Sequence, residues 1–150
     1  MNKADMQINL VAEEGATLSS GSLRLYAQLS NTNSSFSTLH SSLSTPNSPF
    51  PIIGSIDLYA YDPVNRRAAV GIMMATEYRR QGYGLAMLQA LKELAVTVYK
   101  LHTLYADIAS PNIASQALFR KAGYEECGRF KEWLEYDSHF IDNIRMQLML

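Results

Sequence analysis

Cysteine is nearly absent from this 150-residue chain: Cys127 stands alone, so no internal disulfide can form and the fold must rest on a packed core. Long apolar runs are missing too, and none approaches the roughly 20 residues that a membrane-spanning helix needs. A basic excess is also lacking, with thirteen Lys and Arg against fourteen Asp and Glu, and adjacent arginines occur only at 66–67 and 79–80. Without a basic face, DNA or RNA binding is not expected. The first residues carry no apolar signal core, so the expected location is cytoplasmic, away from membranes. What is present is 47% apolar content, enough for one domain over 1–150 with a real core and too little chain for two ordinary ones.

No Asp, Glu, Lys or Arg occurs between positions 25 and 56, and Ser, Thr, Asn and Pro dominate 30–51. So little apolar side-chain material does not offset the entropy of ordering, which predicts a flexible insertion at about 30–50. Ahead of it, 23–29 alternates apolar and polar residues as a half-buried strand does, and an earlier strand is read at 6–11. Behind it, the apolar runs 52–61 and 67–74 flank the turn sequence Asp62-Pro63-Val64-Asn65 and read as a hairpin. A helix over 84–100 aligns Leu88, Leu91, Ala95 and Val98 on one stripe. A strand at 103–108 then precedes a second helix, capped by Asn112 at its start and closed by Gly123 at its end. The chain finishes with a strand over 126–135, a polar turn at 136–139, and a strand whose Ile144, Met146, Leu148 and Leu150 share a face.

Between the 52–74 hairpin and the first helix lies Arg79-Arg80-Gln81-Gly82-Tyr83-Gly84. Two glycines let a backbone approach an anion, a helix start offers free N–H groups and the positive end of its dipole, and two arginines add charge. The same six residues also suit plain turn chemistry at a helix start. A second block, Asn112-Ile113-Ala114-Ser115-Gln116-Ala117-Leu118-Phe119-Arg120-Lys121-Ala122-Gly123-Tyr124, follows the next strand. In this order and at this separation, the blocks resemble the acetyl-CoA loop and the following motif of the GNAT N-acetyltransferase superfamily. Arg79, Gly82 and Gly84 fill the first pattern; Asn112, Ser115, Phe119, Lys121 and Gly123-Tyr124 fill the second.

The resemblance covers roughly 51–150 and is nearest to the branch of ribosomal-protein N-terminal and spermidine acetyltransferases. It implies an α+β fold, a three-layer α/β/α arrangement around a mixed, mostly antiparallel sheet. It implies acetyl-CoA as cosubstrate, no metal, and a small-molecule or peptide amine as acceptor. The cosubstrate would enter a V-shaped gap between the strands ending near Met74 and Ile108. Its pyrophosphate would rest on main-chain N–H groups of Gln81, Gly82, Tyr83, Gly84 and Leu85, beside Arg79 and Arg80. Further contacts would come from Ile72, Met73, Met74, Asn112, Ser115, Phe119 and Lys121.

The chain departs from the family in three places. Two helices usually separate the first two strands and wall the acceptor side; here only about twenty residues precede the strand at Leu23, so those helices are not expected. The acceptor pocket is then either incomplete or completed by a second chain, as in a homodimer. Phe119 stands where the family usually has a tyrosine that protonates the departing thiolate, and phenylalanine donates no proton. The run 67–74 lacks the carboxylate that related enzymes often keep.

The candidate acids and bases each have a plainer alternative. Tyr124 and Tyr105 could protonate the thiolate, or Tyr124 could simply pack beneath the helix end. Glu77, acting through a water, could be the base, or it could be a solvated loop charge; Asp107 and His139 are weaker candidates. A main-chain N–H at 72–74 could polarise the thioester carbonyl without any particular side chain. Glu125, Glu126, Glu132, Glu135, Asp137 and Asp142 would suit a cationic amine, or form an ordinary solvated hairpin. Two further functional readings stand beside the enzyme: a catalytically inactive CoA-binding relative, and a dinucleotide-binding protein suggested by Gly82-x-Gly84-x-Ala86. The second is disfavoured because 75–81 separates the strand from the glycines.

Overall fold

Alternating apolar side chains build one face of a single sheet. The computed structural model describes residues 7–12, 16–30 and 51–150. Its elements are β1 (Gln7–Ala12), β2 (Leu23–Ser30), β3 (Ile52–Asp62), β4 (Arg67–Met74), α1 (Tyr83–Thr97), β5 (Thr103–Ala109), α2 (Ile113–Lys121), β6 (Glu125–Tyr136) and β7 (His139–Met149). The strands lie in the order β1-β2-β3-β4-β5-β7-β6. Every neighbouring pair is antiparallel except β4 and β5, which α1 joins by a crossover. The expected insertion at 30–50 lies almost wholly outside the described residues.

The strand registers put Leu23 beside Leu58 and Val70, Ala68 beside Leu104 and Leu148, and Ile108 beside Ile144. All of these side chains are buried, and they form one core with Met87, Leu88, Leu91, Leu94 and Ala95 of α1 and Phe119 of α2. Both helices therefore cover the same face of the sheet, and they touch each other. Successive strand residues point to opposite faces, so Arg24, Tyr26, Asp57, Tyr59, Tyr105, Asp107 and Arg145 share the other face. Among the described residues no helix covers that face, and between β1 and β2 they show one 3₁₀ turn, Leu18–Ser20. This agrees with the expectation that the N-terminal helices are missing, and it leaves two layers among the described residues where three were expected.

The helix boundaries differ from the sequence reading at one informative point. α1 ends at Thr97, whose hydroxyl donates to the Glu93 carbonyl, and Val98 is the C-cap. Val98 is consequently 48% exposed and not part of the buried stripe; Met87 and Leu94 complete that stripe instead. α2 behaves as expected: Asn112 Oδ1 accepts from the Ser115 N–H, and Gly123 takes the left-handed conformation at φ +93°.

Leu91 is fully enclosed whereas Val98 is half in solvent. In denaturant titrations, Leu91→Ala should lose about 2–5 kcal/mol of stability, and Val98→Ala should stay within about 0.5 kcal/mol of the parent.

Candidate functional site

β4 and β5 pair only at Arg67 with Thr103, Ala68 with Leu104 and Ala69 with Tyr105. Beyond Ala69 the two strands diverge, which is the V-shaped gap expected from the sequence. A slot of about 200 Å³ lies there, lined by Tyr59 from β3, Val70, Gly71 and Ile72 from β4, residues 106–109 of β5, Asn112 before α2, and Ser115 and Phe119 of α2. Successive N–H groups of a strand point to opposite edges. The Ala75 N–H donates to the Ile53 carbonyl at 2.9 Å, so the N–H groups of Met73 and Gly71 also face β3, while those of Met74 and Ile72 face the slot. Met73 thus gives neither its N–H to the slot nor a lining side chain; that side chain is 70% exposed.

The loop from the end of β4 to α1 is tied by its own side chains. Arg79 Nε donates to the Met74 carbonyl at 3.1 Å, and Gln81 Nε2 donates to the Glu77 carbonyl at 2.8 Å. Tyr83 meets Tyr78 edge-on with ring centroids 6.2 Å apart. Gly82 is the N-cap of α1 at φ +89°, a conformation that suits glycine, and no side chain caps the helix there. The first-turn N–H groups of an α-helix have no carbonyl one turn earlier to pair with. Gly84 has a different job from Gly82: a Cβ there would come within 3.1 Å of Leu118 Cδ2 and 3.7 Å of Met74 Cε, so this glycine permits close packing of α1 on α2 and β4. Arg80 is exposed, with φ +58°.

Several candidates stand away from the slot. Glu77 is exposed on the 3₁₀ turn Thr76–Tyr78, and Lys121 is exposed as the last residue of α2; neither lines the slot. Tyr124 is 2% exposed behind Phe119, with ring centroids 4.9 Å apart and edge-on, and burial raises its phenol well above the ordinary value. Its hydroxyl has no hydrogen-bond partner, so packing, not proton transfer, is its place in this fold. His139 opens β7 with Nδ1 3.1 Å from the Asp137 carbonyl. The acidic segment is partly neutralised within itself: Glu126 pairs with Arg120, and Asp142 with Arg129.

Asp107 does line the slot. Arg145 grips it through Nε and Nη2 at 2.8 and 2.7 Å, and Asn143 Nδ2 donates to it at 3.1 Å. The Arg145 guanidinium, helped by Asn143, holds this carboxyl below its ordinary range. Arg145 also lies over the Tyr105 ring, 4.7 Å from its centroid. On the far side of Gly71, Asp57 makes the corresponding two-pronged pair with Arg24 at 2.8 and 2.9 Å. An open cleft of about 350 Å³ adjoins this pair, lined by Ser22, Arg24, Tyr26, Asp57 and Tyr59.

Tyr59 and Gly71 were missed by the sequence reading. A glycine inside an apolar strand was a usable signal, since it marks close approach of another group. A Cβ on Gly71 would lie 3.5 Å from Tyr59 Cε1, so the tyrosine ring rests against the strand at the mouth of the slot.

Comparison with known proteins supplies the context for this geometry. A model of the acetyltransferase (GNAT) domain matches residues 14–125. The spermidine N(1)-acetyltransferase of Vibrio cholerae is 24% identical over 98 residues, which are 65% of this chain and 57% of that protein, so this chain spans little more than half of that relative's length. The structure of the Vibrio cholerae spermidine N-acetyltransferase in complex with CoA and spermine superposes with a TM-score of 0.71 at 18% identity, covering 87% of this chain and 67% of that one. A dodecameric structure from the same organism gives 0.68 at 19% identity, covering 86% and 65%. At these identities the structural likeness establishes the fold.

The cap and the ion pair generate separable expectations. Asn112→Ala should lose about 1 kcal/mol, and Asn112→Ser should recover most of it, as read by chemical denaturation. Because the Asp107 carboxyl is lowered in the folded chain, the stability it lends is complete above its unfolded value of about 4 and disappears as pH falls through the lower folded value. Asp107→Asn should therefore melt below the parent at neutral pH, with the difference closing under acid.

Proposed function

The chain belongs to the acetyltransferase (GNAT) domain family, and we propose that it moves an acetyl group from acetyl-CoA to a primary amine by direct attack on the thioester. The observation that carries this reading is the splayed β4–β5 pair, ending next to an uncapped helix start. The helix start suits an anion: it has first-turn N–H groups and the positive dipole end, and Arg79 and Arg80 stand just before it in the chain. The slot-facing N–H groups of Ile72 and Met74 suit a ligand carbonyl, because an amide chain laid along β4 would take the place that β5 gives up.

Two ways in are consistent with a reaction between two substrates. The helix-covered face would bring the cosubstrate past α1 and α2, and the face that no helix covers among the described residues leaves room for an amine beside Asp57, Tyr59 and Asp107. Holding both reactants in one slot can itself supply on the order of 7–11 kcal/mol of the barrier reduction. A main-chain N–H of β4 would stabilise the oxyanion without relying on a side chain. Asp107, already gripped by Arg145 and Asn143, serves to fix the slot wall and is poorly placed to take a proton from the amine. For the acceptor we infer a small cationic amine. The Vibrio cholerae relative, by its name, acts on spermidine, and carboxylates flank the open end of the slot here.

The test is a free-thiol assay with acetyl-CoA and a panel of spermidine, a diamine, an aminoglycoside and a peptide with a free N-terminus. Release of CoA thiol with at least one amine is the expected result. Acetyl-CoA binding without turnover across the panel would leave a CoA-binding relative, and no binding by calorimetry would reject both. The cradle has its own control. Gly21 and Gly82 both have positive φ and open space for a Cβ, so Gly21→Ala and Gly82→Ala should suffer similar strain, roughly 1–2 kcal/mol. Only Gly82→Ala should also weaken acetyl-CoA binding.

A further inference from the structure

Acyl transfer from a thioester leaves a thiolate, and Phe119, which lines the slot from α2, has no proton to give it. The other polar side chains lining the slot are Tyr59, Asp107, Asn112 and Ser115. Asp107 is held in its ionised form by Arg145 and only accepts. Asn112 spends its carbonyl oxygen on the α2 cap, and neither its amide nor the Ser115 hydroxyl is an acid near neutral pH. Tyr59 is the remaining group, and a phenol titrates near enough to a thiol to pass a proton to it.

The backbone also aims this residue. Immediately after Tyr59 the β3–β4 register slips, and Ala60 adopts φ +48°, a bulge of the kind that redirects a side chain. The ring comes to lie against Gly71, where a Cβ would meet its Cε1 at 3.5 Å. Tyr59 is the residue that lines both the slot and the adjoining open-face cleft, so it stands between the two proposed entry routes.

We propose that Tyr59 is the proton donor to the departing thiolate, a role that rests on the acetyltransferase reading above. The amine nitrogen bonds to the acetyl carbon, the C–S bond breaks with its electron pair going to sulfur, and sulfur takes the phenolic proton. The tyrosinate then takes the proton shed by the new amide nitrogen, so Tyr59 ends as it began and no other reactant is consumed. Around the ring stand Arg24 and Tyr26 from β2, Asp57 from its own strand, Tyr105 and Asp107 from β5, and Arg145 from β7. Burial, then Asp107 and Tyr105, raise the phenol above its ordinary value against the pull of Arg145, which keeps it protonated at neutral pH.

Tyr59→Phe keeps the ring and removes only the hydroxyl. With acetyl-CoA and whichever amine of the panel turns over, kcat should fall about a hundredfold or more. The acetyl-CoA Kd and the melting temperature should stay unchanged. The parent profile of kcat against pH should decline at alkaline pH as the phenol ionises, and the variant should lack that decline; a structural role would not remove it. Undiminished kcat in Tyr59→Phe, with acetyl-CoA turned over normally, overturns the role of Tyr59 and leaves the acetyltransferase reading standing. A parent chain that binds acetyl-CoA and releases no thiol with any amine overturns both together.

Discussion

The separation of β4 from β5 after Ala69 is the constraint on which the site depends. A strand inside a sheet normally spends its N–H and C=O groups on both neighbours, and leaving one edge unmatched is costly when water is kept out. Here Ile72 and Met74 turn that edge toward the slot, and the Met74 carbonyl accepts from Arg79 Nε. The same arginine ties the loop before α1 to the strand end, so slot and loop are fixed relative to each other. Gly84 adds to this by letting the first turn of α1 settle against Leu118 and Met74.

The two faces of the sheet divide the work. One is closed by α1 and α2 over a continuous apolar core, which supplies the rigidity that a slot between diverging strands requires. The other carries the paired arrays Arg24–Asp57 and Arg145–Asp107 on either side of Gly71, with Tyr59 and Tyr105 beside them. These pairs are partly exposed, so their value to stability is modest. Their effect is geometric: each fixes a carboxylate at the edge of the region where a second substrate would arrive.

Much of this was legible in advance because the signals were local. Alternation in 23–29 and 144–150, the turn Asp62-Pro63-Val64-Asn65, the Asn112 cap and the Gly123 stop are each decided by residues within a few positions of one another, and each took the expected form. The positive φ of Gly82 belongs to the same class. Val98 failed because periodicity cannot say at which turn a helix stops. Tyr124 and Glu77 were proposed for their chemistry, and burial in one case and distance from the slot lining in the other assigned them elsewhere.

The sequence by itself determined the order of elements, the glycine turn at the start of α1 and the membership of the family, since all three are written in short ordered motifs whose spacing the chain fixes covalently. Only the tertiary structure decided which side chains line the slot. Tyr59 and Phe119 are sixty residues apart in sequence and line one slot. That meeting depends on a register slip in β3 and the early divergence of β5, and both are set by long-range pairing that no local pattern encodes.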